Sequence, residues 1–307
     1  MSPLRVGIVG FGVMGARHAR VFAALGREVE VVGAYDPRPD AIPSSSRHFE
    51  NENELVAASD LVVVASPIEA HRESASRAIV KRRHVLVEKP LAGTWREASA
   101  LVGRAAAADV RLFVGHSERF HPVTRALAHE LRGAEILSMR FRRVASGTPR
   151  DAALREPQAD ALLNLAVHDI DLASHLGSDR VELSSAQQQG SICSIEVVSR
   201  RGWRAQIEAG RALENPGRTV SIETKTTIYR GDLKAGTLVA IDRVTLAERE
   251  ISLGKEEPLM MQAAAIAAAI RGEKRPAAEG NDGARAVGIA EQALTRLGGA
   301  RGAAEKL

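Results

Sequence analysis

Five polar residues, Asp160, Asn164, His168, Asp171 and His175, recur at intervals of four, four, three and four. On a helix such spacing draws one stripe, and the other residues from Ala161 to Leu176 are mostly apolar. The stretch holds no Lys, Arg or Glu, which the chain spends freely on other helices, so a half-buried cleft suits it better than open water. The plain alternative is a solvated helix face. Imidazole titrates near neutrality and can take or return a proton, which makes His168 the candidate acid/base group. Lys89 is the second candidate. The chain has 7 Lys against 35 Arg, and this lysine falls in Glu88-Lys89-Pro90, directly after the apolar run His84 to Val87. A compact ammonium can share a proton with a hydroxyl, whereas a guanidinium cannot; the competing reading is an ion pair with Glu88.

Positioning these groups requires a scaffold, and the chain opens with one. Leu4 to Val9 is almost wholly apolar and reads as a buried parallel strand. It runs into Gly10-Phe11-Gly12-Val13-Met14-Gly15, then a helical pattern to Leu25, then a second apolar run, Val29 to Tyr35, ending in Asp36. Strand, glycine turn, helix, strand and acid is the order of a dinucleotide-binding βαβ unit. Gly10 permits the tight turn, Gly12 lets a pyrophosphate approach the backbone, and Gly15 lets the helix pack closely. Free N–H groups and the helix dipole would hold the diphosphate. Asp36 suits a ribose diol and repels a 2′-phosphate, so NAD is expected ahead of NADP, although Arg38 lies close by.

Further strands, Asp60 to Ala65, His84 to Val87 and Arg111 to Gly115, alternate with helical patterns at Glu69 to Val80 and Trp95 to Ala108. This alternation predicts a doubly wound parallel sheet over residues 1–117. Right-handed crossovers bring the strand carboxyl ends, with Ser66, Lys89 and His116, to one edge. From 118 to 307 the pattern changes. Helices are expected over Phe120 to Leu131 and Ala161 to Leu176, with a strand from Glu135 to Val144. A series of short strands lies between Val181 and Leu246, and two helices, Leu259 to Arg271 and Asp282 to Leu297, end the chain. Strands without intervening helices predict an α+β second domain with a mostly antiparallel sheet. Arg140, Arg142 and Arg143, with Arg119, could face a diphosphate, but a solvated or subunit-facing sheet surface is the preferred reading.

Bulk properties narrow the class. At 307 residues, 45% hydrophobic and 26% charged, the chain has the composition of a soluble globular protein of two domains. Its net charge of +4 is not gathered into a tail or patch, and 3% aromatic residues leave little for base stacking, so nucleic acid is not an expected partner. One cysteine, Cys193, excludes an internal disulfide and a cysteine-based zinc site, and no metal is expected. The first strand begins within a few residues of Met1, and the Ala-rich run Met260 to Ile270 is too short to span a bilayer. A cytoplasmic protein without membrane partners is the expectation.

Four spaced motifs resemble one family. The glycine turn at 10–15, Ser66-Pro67 with His71, Glu88-Lys89-Pro90, and His168-Asp169-Ile170-Asp171 follow the order typical of the glucose–fructose oxidoreductase / inositol dehydrogenase (Gfo/Idh/MocA) family. Gly115 to Pro122 and Glu257-Pro258-Leu259 look like the branch that contains UDP-N-acetylglucosamine 3-dehydrogenases. The resemblance implies a Rossmann domain followed by an open-faced sheet that mediates a homodimer or homotetramer. It further implies a sugar or nucleotide-sugar substrate, Lys89 near nicotinamide and substrate, a cis peptide before Pro90, and His168 as acceptor of the hydroxyl proton. Carried over residue by residue, cofactor contacts fall to Gly10, Phe11, Gly12, Val13, Met14, Gly15, Asp36, Arg38, Ser66, Pro67, His71, Glu88 and Lys89. Substrate contacts fall to Lys89, His116, Arg119, Asn164, His168 and Asp171. One departure stands out: many members have aspartate four residues before the histidine, where this chain has Asn164. An amide can orient substrate but cannot raise imidazole basicity by charge, unless Asp160 or Asp171 supplies it. Inositol or polyol dehydrogenase, and an NAD-binding regulator with weakened catalysis, are the alternative functions.

Overall fold

The computed structural model describes residues 2–147, 156–213, 215–273 and 277–304. It divides into two compact units, Met1–Ser117 with Glu257–Val287, and Glu118–Glu256 with Gly288–Leu307.

In the first unit, β1 (Leu4–Val9), α1 (Val13–Ala23), β2 (Val29–Tyr35), α2 (Glu52–Ala58), β3 (Leu61–Val64), α3 (Ile68–Val80), β4 (His84–Val87), α4 (Trp95–Ala107) and β5 (Leu112–Val114) follow one another. The sheet is parallel with order β2-β1-β3-β4-β5, as the alternation predicts. Strand period sorts the side chains: Val6, Ile8, Leu61, Val63 and Leu86 enter one core with Val21 and Phe22 of α1. Residues of opposite parity face the other layer, where a Cβ on Gly7 would strike Leu55 of α2. Helix α2 follows a cap that the pattern reading leaves unassigned: Asn51 accepts the Glu54 N–H at 3.0 Å and donates to the Glu54 carboxylate at 2.6 Å.

The second unit runs through α5 (Pro122–Glu130), β6 (Ile136–Ala145), a single turn α6 (Pro157–Ala159), a π-helical segment (Asp160–Ala166) and α7 (Val167–Gly177). Seven strands follow: β7 (Val181–Gln189), β8 (Ile192–Ser199), β9 (Arg204–Arg211), β10 (Gly217–Thr224), β11 (Thr227–Asp232), β12 (Thr237–Asp242) and β13 (Glu248–Glu250). Their order with β6 is β13-β12-β11-β10-β6-β9-β8-β7, and only β6–β9 is a parallel pairing. Met139, Phe141 and Arg143 of β6 are buried, whereas Arg140 and Arg142 are on the other face and at least partly exposed. The arginine group expected from sequence is therefore split by the period of the strand. Cys193 is buried in β8.

Two helices close the chain, α8 (Pro258–Ile270) and α9 (Gly280–Ala304). Leu259, Ala263, Ile266 and Ala267 of α8 enter the core of β1 and α1, so α8 belongs to the first unit although sequence order puts it with the second domain. An apolar helix announces that it needs a partner without naming which. Among the described residues no helix is long and apolar enough to cross a membrane.

Candidate active site

The first unit builds a turn around the end of β1. Gly10 has φ +82° and donates to the Tyr35 carbonyl at 2.8 Å, and a Cβ there would lie 2.6 Å from the Ser66 nitrogen. Only glycine suits both its conformation and its contact. At Gly15 a Cβ would fall 1.9 Å from the Gly10 carbonyl oxygen, so helix and turn approach as closely as backbones can. Gly12 is different: a Cβ there would meet nothing within 4 Å, and the space over it is open. Helix α1 starts from Gly12 with no side-chain cap and no acidic residue in its first turn. Its first amides have no intrahelical acceptor. Val13 is exposed, Met14 half-buried and Phe11 buried.

Asp36, at the end of β2, is buried and accepts the Phe11 N–H at 2.8 Å and the Arg38 N–H at 3.0 Å. The Arg38 guanidinium is 72% exposed and reaches the same carboxylate only at 3.4 Å. Ser66 abuts the glycine turn, and its buried Oγ finds no hydrogen-bond partner among the described residues. Pro67, exposed, caps α3. His71 of α3 joins two strand ends, with Nδ1 2.9 Å from the Pro90 carbonyl and Nε2 2.9 Å from the Ser66 carbonyl. An open Gly12, an uncapped helix start, a buried hydroxyl with no partner among the described residues and an anchored carboxylate fit a dinucleotide.

At the end of β4, Glu88 is buried and Lys89 half-buried, and the Lys89–Pro90 peptide is cis, as the resemblance implies. Glu88 Oε1 lies 2.7 Å from Nε2 of His18 in α1, and Oε2 accepts the Lys89 N–H at 3.2 Å. Burial pushes the Glu88 carboxyl up, but His18 and Lys89 outweigh it and hold the group below its ordinary range. His116, beyond β5, is buried, and its N–H donates to the Val114 carbonyl at 2.8 Å.

In the second unit the polar stripe spans the π segment and α7. Asp160 and Asp171 are 2% and 3% exposed, so this is not a solvated face. Asp160 is bound by Arg211 of β9, at 2.6 Å from Nε and 3.3 Å from Nη2, and Asn164 Nδ2 donates to it at 2.8 Å. A carboxylate accepts only, which fixes the amide nitrogen of Asn164 toward Asp160. Asp171 takes a two-point contact from Arg119, at 2.8 and 2.5 Å. These two predicted substrate contacts thus engage one another, and each stripe carboxylate carries an arginine. His168 and Asn164 are half-buried, one turn apart where the wide helix becomes α7. π segments recur at functional sites, and the expected single helix from 161 to 176 does not distinguish one.

Four groups make contacts with one another that sequence reasoning does not foresee. Arg143 binds Asp169 at 2.9 and 2.8 Å, with Glu118 3.7 Å away, and Glu118 in turn accepts from Arg218 at 2.8 Å. Burial raises the Asp169 carboxyl against the pull of Arg143, whereas at Glu118 the charges of Arg143 and Arg218 overcome burial and lower it. The partners are tens of residues apart and carry no local signal. His18 does carry one: it is the histidine within the apolar stripe of α1, between Gly15 and Val21–Phe22.

Comparison with known proteins agrees with this geometry. Residues 4–116 match the Gfo/Idh/MocA family model, described as an oxidoreductase family with an NAD-binding Rossmann fold. The chain is 27% identical over 233 residues to a UDP-N-acetylglucosamine 3-dehydrogenase of Acidithiobacillus ferrooxidans, covering 72% of each. It is 32% identical over 184 residues to an inositol 2-dehydrogenase of Acidothermus cellulolyticus, covering 56% of this chain and 53% of that protein. The solved structure of the Acidithiobacillus ferrooxidans enzyme superposes with a TM-score of 0.85 at 24% identity, covering 97% of this chain and 98% of that one. The glycine turn anchored by Asp36 and the Glu-Lys-Pro turn thus lie in a segment, residues 4–116, that matches the Gfo/Idh/MocA oxidoreductase family, and the chain as a whole shares the fold of the solved Acidithiobacillus ferrooxidans enzyme.

Proposed function

We propose that the protein is an NAD-dependent dehydrogenase of a secondary alcohol on a sugar or nucleotide sugar. The observation that carries the reading is the turn at Gly10–Gly15, with open space over Gly12 and the Asp36 carboxylate tied to Phe11. The buried carboxylate favours a ribose diol over a 2′-phosphate, and the exposed Arg38 offers that phosphate little. When bound, the dinucleotide supplies the hydride acceptor. Lys89 holds the reacting oxygen through its ammonium and stabilises the charge that develops there. His168 takes the hydroxyl proton on a ring nitrogen while the carbon loses its hydride, leaving a ketone. Asn164 orients the substrate or the imidazole through an amide that Asp160 holds in one sense. His116, Arg119 and Asp171 complete the substrate surroundings, the last two as a linked pair.

The relatives support sugar chemistry, one being a nucleotide-sugar and another an inositol dehydrogenase. The proposal extends to a cytoplasmic homo-oligomer formed through the open face of the eight-stranded sheet, where Arg140 and Arg142 lie. A second reading has a specific observation in its favour: Asp160 and Asp171 are both bound by arginine, so neither brings an uncompensated charge toward His168. That favours a slow enzyme or an NAD-binding regulator.

The test is reduction of NAD or NADP by the purified protein with UDP-N-acetylglucosamine, other UDP-sugars and inositols, and the reverse reaction with the ketones. Turnover with NAD that falls at least ~100-fold in Lys89→Ala and His168→Ala supports the proposal. NAD binding without turnover in either direction would favour the regulator, and absence of NAD binding would sink both.

A further inference from the structure

Behind the Glu88-Lys89-Pro90 turn lies a histidine that no step above uses. His18 is 1% exposed in the middle of α1, with its ring 6.3 Å from that of Phe22 and inclined 29° to it. A polar ring so placed needs a partner, and Nε2 finds one in Glu88 Oε1 at 2.7 Å. The other carboxylate oxygen accepts the backbone N–H of Lys89. The space around that carboxylate is closed. A Cβ on Gly115 would lie 2.9 Å from Glu88 Cδ and Oε2 and 3.0 Å from Oε1, so glycine there is what admits the acid.

We propose that His18 is a positioning residue for Lys89: it holds Glu88 in the one orientation that pins the main chain carrying the lysine. The chain of contacts is His18 Nε2–H to Glu88 Oε1, and Glu88 Oε2 to Lys89 N–H. Titratable groups acting on Glu88 are His18 from α1 and Lys89 from its own turn. Just beyond β5 the facing residue is Gly115, with His116 next in sequence, and His71 of α3 meets the carbonyl of Pro90 one residue beyond Lys89. Without His18, Glu88 keeps its burial but loses its largest compensating partner. It then takes up a proton at higher pH, and a neutral, unanchored acid no longer fixes the turn.

This inference rests on the proposed role of Lys89 only for its kinetic readout, so the experiment has two arms. His18→Gln keeps an N–H donor at the reach of Nε2, His18→Leu removes it, and His18→Asn keeps a donor that falls short. In the kinetic arm, His18→Leu and His18→Asn lower kcat about 10- to 100-fold, the scale of a misplaced reacting group. The acid limb of the pH profile moves upward, KM for the alcohol changes little, and His18→Gln recovers to within a few-fold. Equal losses in His18→Gln and His18→Asn, or an unmoved acid limb in all three, overturn the proposal, and this comparison decides even if the leucine variant fails to fold. The second arm is carboxyl NMR of Glu88. The wild type titrates below the ordinary glutamate range, His18→Gln, which keeps the hydrogen bond without the electrostatic contribution of His18, titrates above the wild type, and His18→Asn titrates higher still. Identical titration in all of them overturns the inference whether or not the protein turns over any sugar.

Discussion

Asn164 stands where the resemblance implies an aspartate, and on basicity alone Asn164→Asp should speed the proton removal proposed for His168. The structure predicts a different outcome in the weakly acid range. Asn164 Nδ2 donates to Asp160 at 2.8 Å, so a carboxylate at 164 would face the carboxylate of Asp160. Two such charges about 4 Å apart repel by ~4 kcal/mol at an effective dielectric of about 20. That corresponds to roughly three pK units, less what Arg211 offsets through its contacts with Asp160. Starting from the ordinary aspartate value of about 3.9, the pair holds one proton to about pH 7 at most and, with Arg211 beside it, gives it up in the weakly acid range; while that proton is held, a neutral acid lends His168 no charge. The introduced group has a folded pKa above its unfolded value, so stability that is present at acid pH is lost as pH rises through the folded pKa. Initial rates of NAD reduction and thermal unfolding against pH check both statements. Asn164→Asp should match the wild type near pH ~5 and gain as pH rises toward ~7. Its melting temperature should fall relative to wild type between about pH 4 and the folded pKa and level off above it. The exchange Asp160→Asn/Asn164→Asp keeps the net charge and moves it one turn toward His168, and should gain already near pH ~5. A single variant as fast as the exchange near pH ~5, with an unchanged melting profile, would refute the coupling.

Three other outcomes follow from described contacts. Gly177→Ala sets a Cβ 2.1 Å from the Trp203 ring; such overpacking costs about 1–3 kcal/mol, and a calorimetric melt should show a fall of roughly 2–4 °C per kcal/mol. Asp36→Ser leaves the Phe11 and Arg38 amides without their carboxylate acceptor and removes its charge; fluorescence titration should show NAD binding weakened about tenfold and NADP gaining, since a charged hydrogen bond is worth ~1.5–3 kcal/mol. Glu118 and Glu88 are both held below the ordinary range, so the stability they contribute is complete above the unfolded value, about 4.3, and is lost as pH falls through the folded values. Denaturant unfolding between neutral and acid pH should weaken less steeply in Glu118→Gln than in wild type, and parallel curves would contradict the assignment.

Local pattern carries the first unit well. The bounds of β1, β2 and β4 match the expected runs, because a buried strand is a short apolar word with polar punctuation. Helix α2 was legible in principle, through Asn51 and Glu54, but its apolar stripe is too short to announce itself. Strand β13, Glu248–Glu250, is exposed throughout and shows no alternation to read. The candidate residues were legible as types at a spacing: His168, Asn164, Lys89 and the glycines. Their electrostatic state was not. Whether Asp171 is a bare acid or half of a two-point contact with Arg119 depends on a residue 52 positions away, and that separation leaves no trace in a window of sequence. Likewise the three arginines of β6 look alike in order, yet the pleat sends Arg143 inward to Asp169 and turns Arg140 out.

Helix α8 imposes a schedule on how this chain can be made. The face of α1 and β1 that receives Leu259, Ala263 and Ile266 stays uncovered until some 150 further residues have been synthesised. A dinucleotide-binding fragment cut at residue 117 would expose that apolar face and be prone to aggregate. Ribosome-stalled intermediates of this protein should engage chaperones until Ile270 has cleared the exit tunnel, and a fragment with α8 tethered back onto residues 1–117 should be the smallest soluble piece.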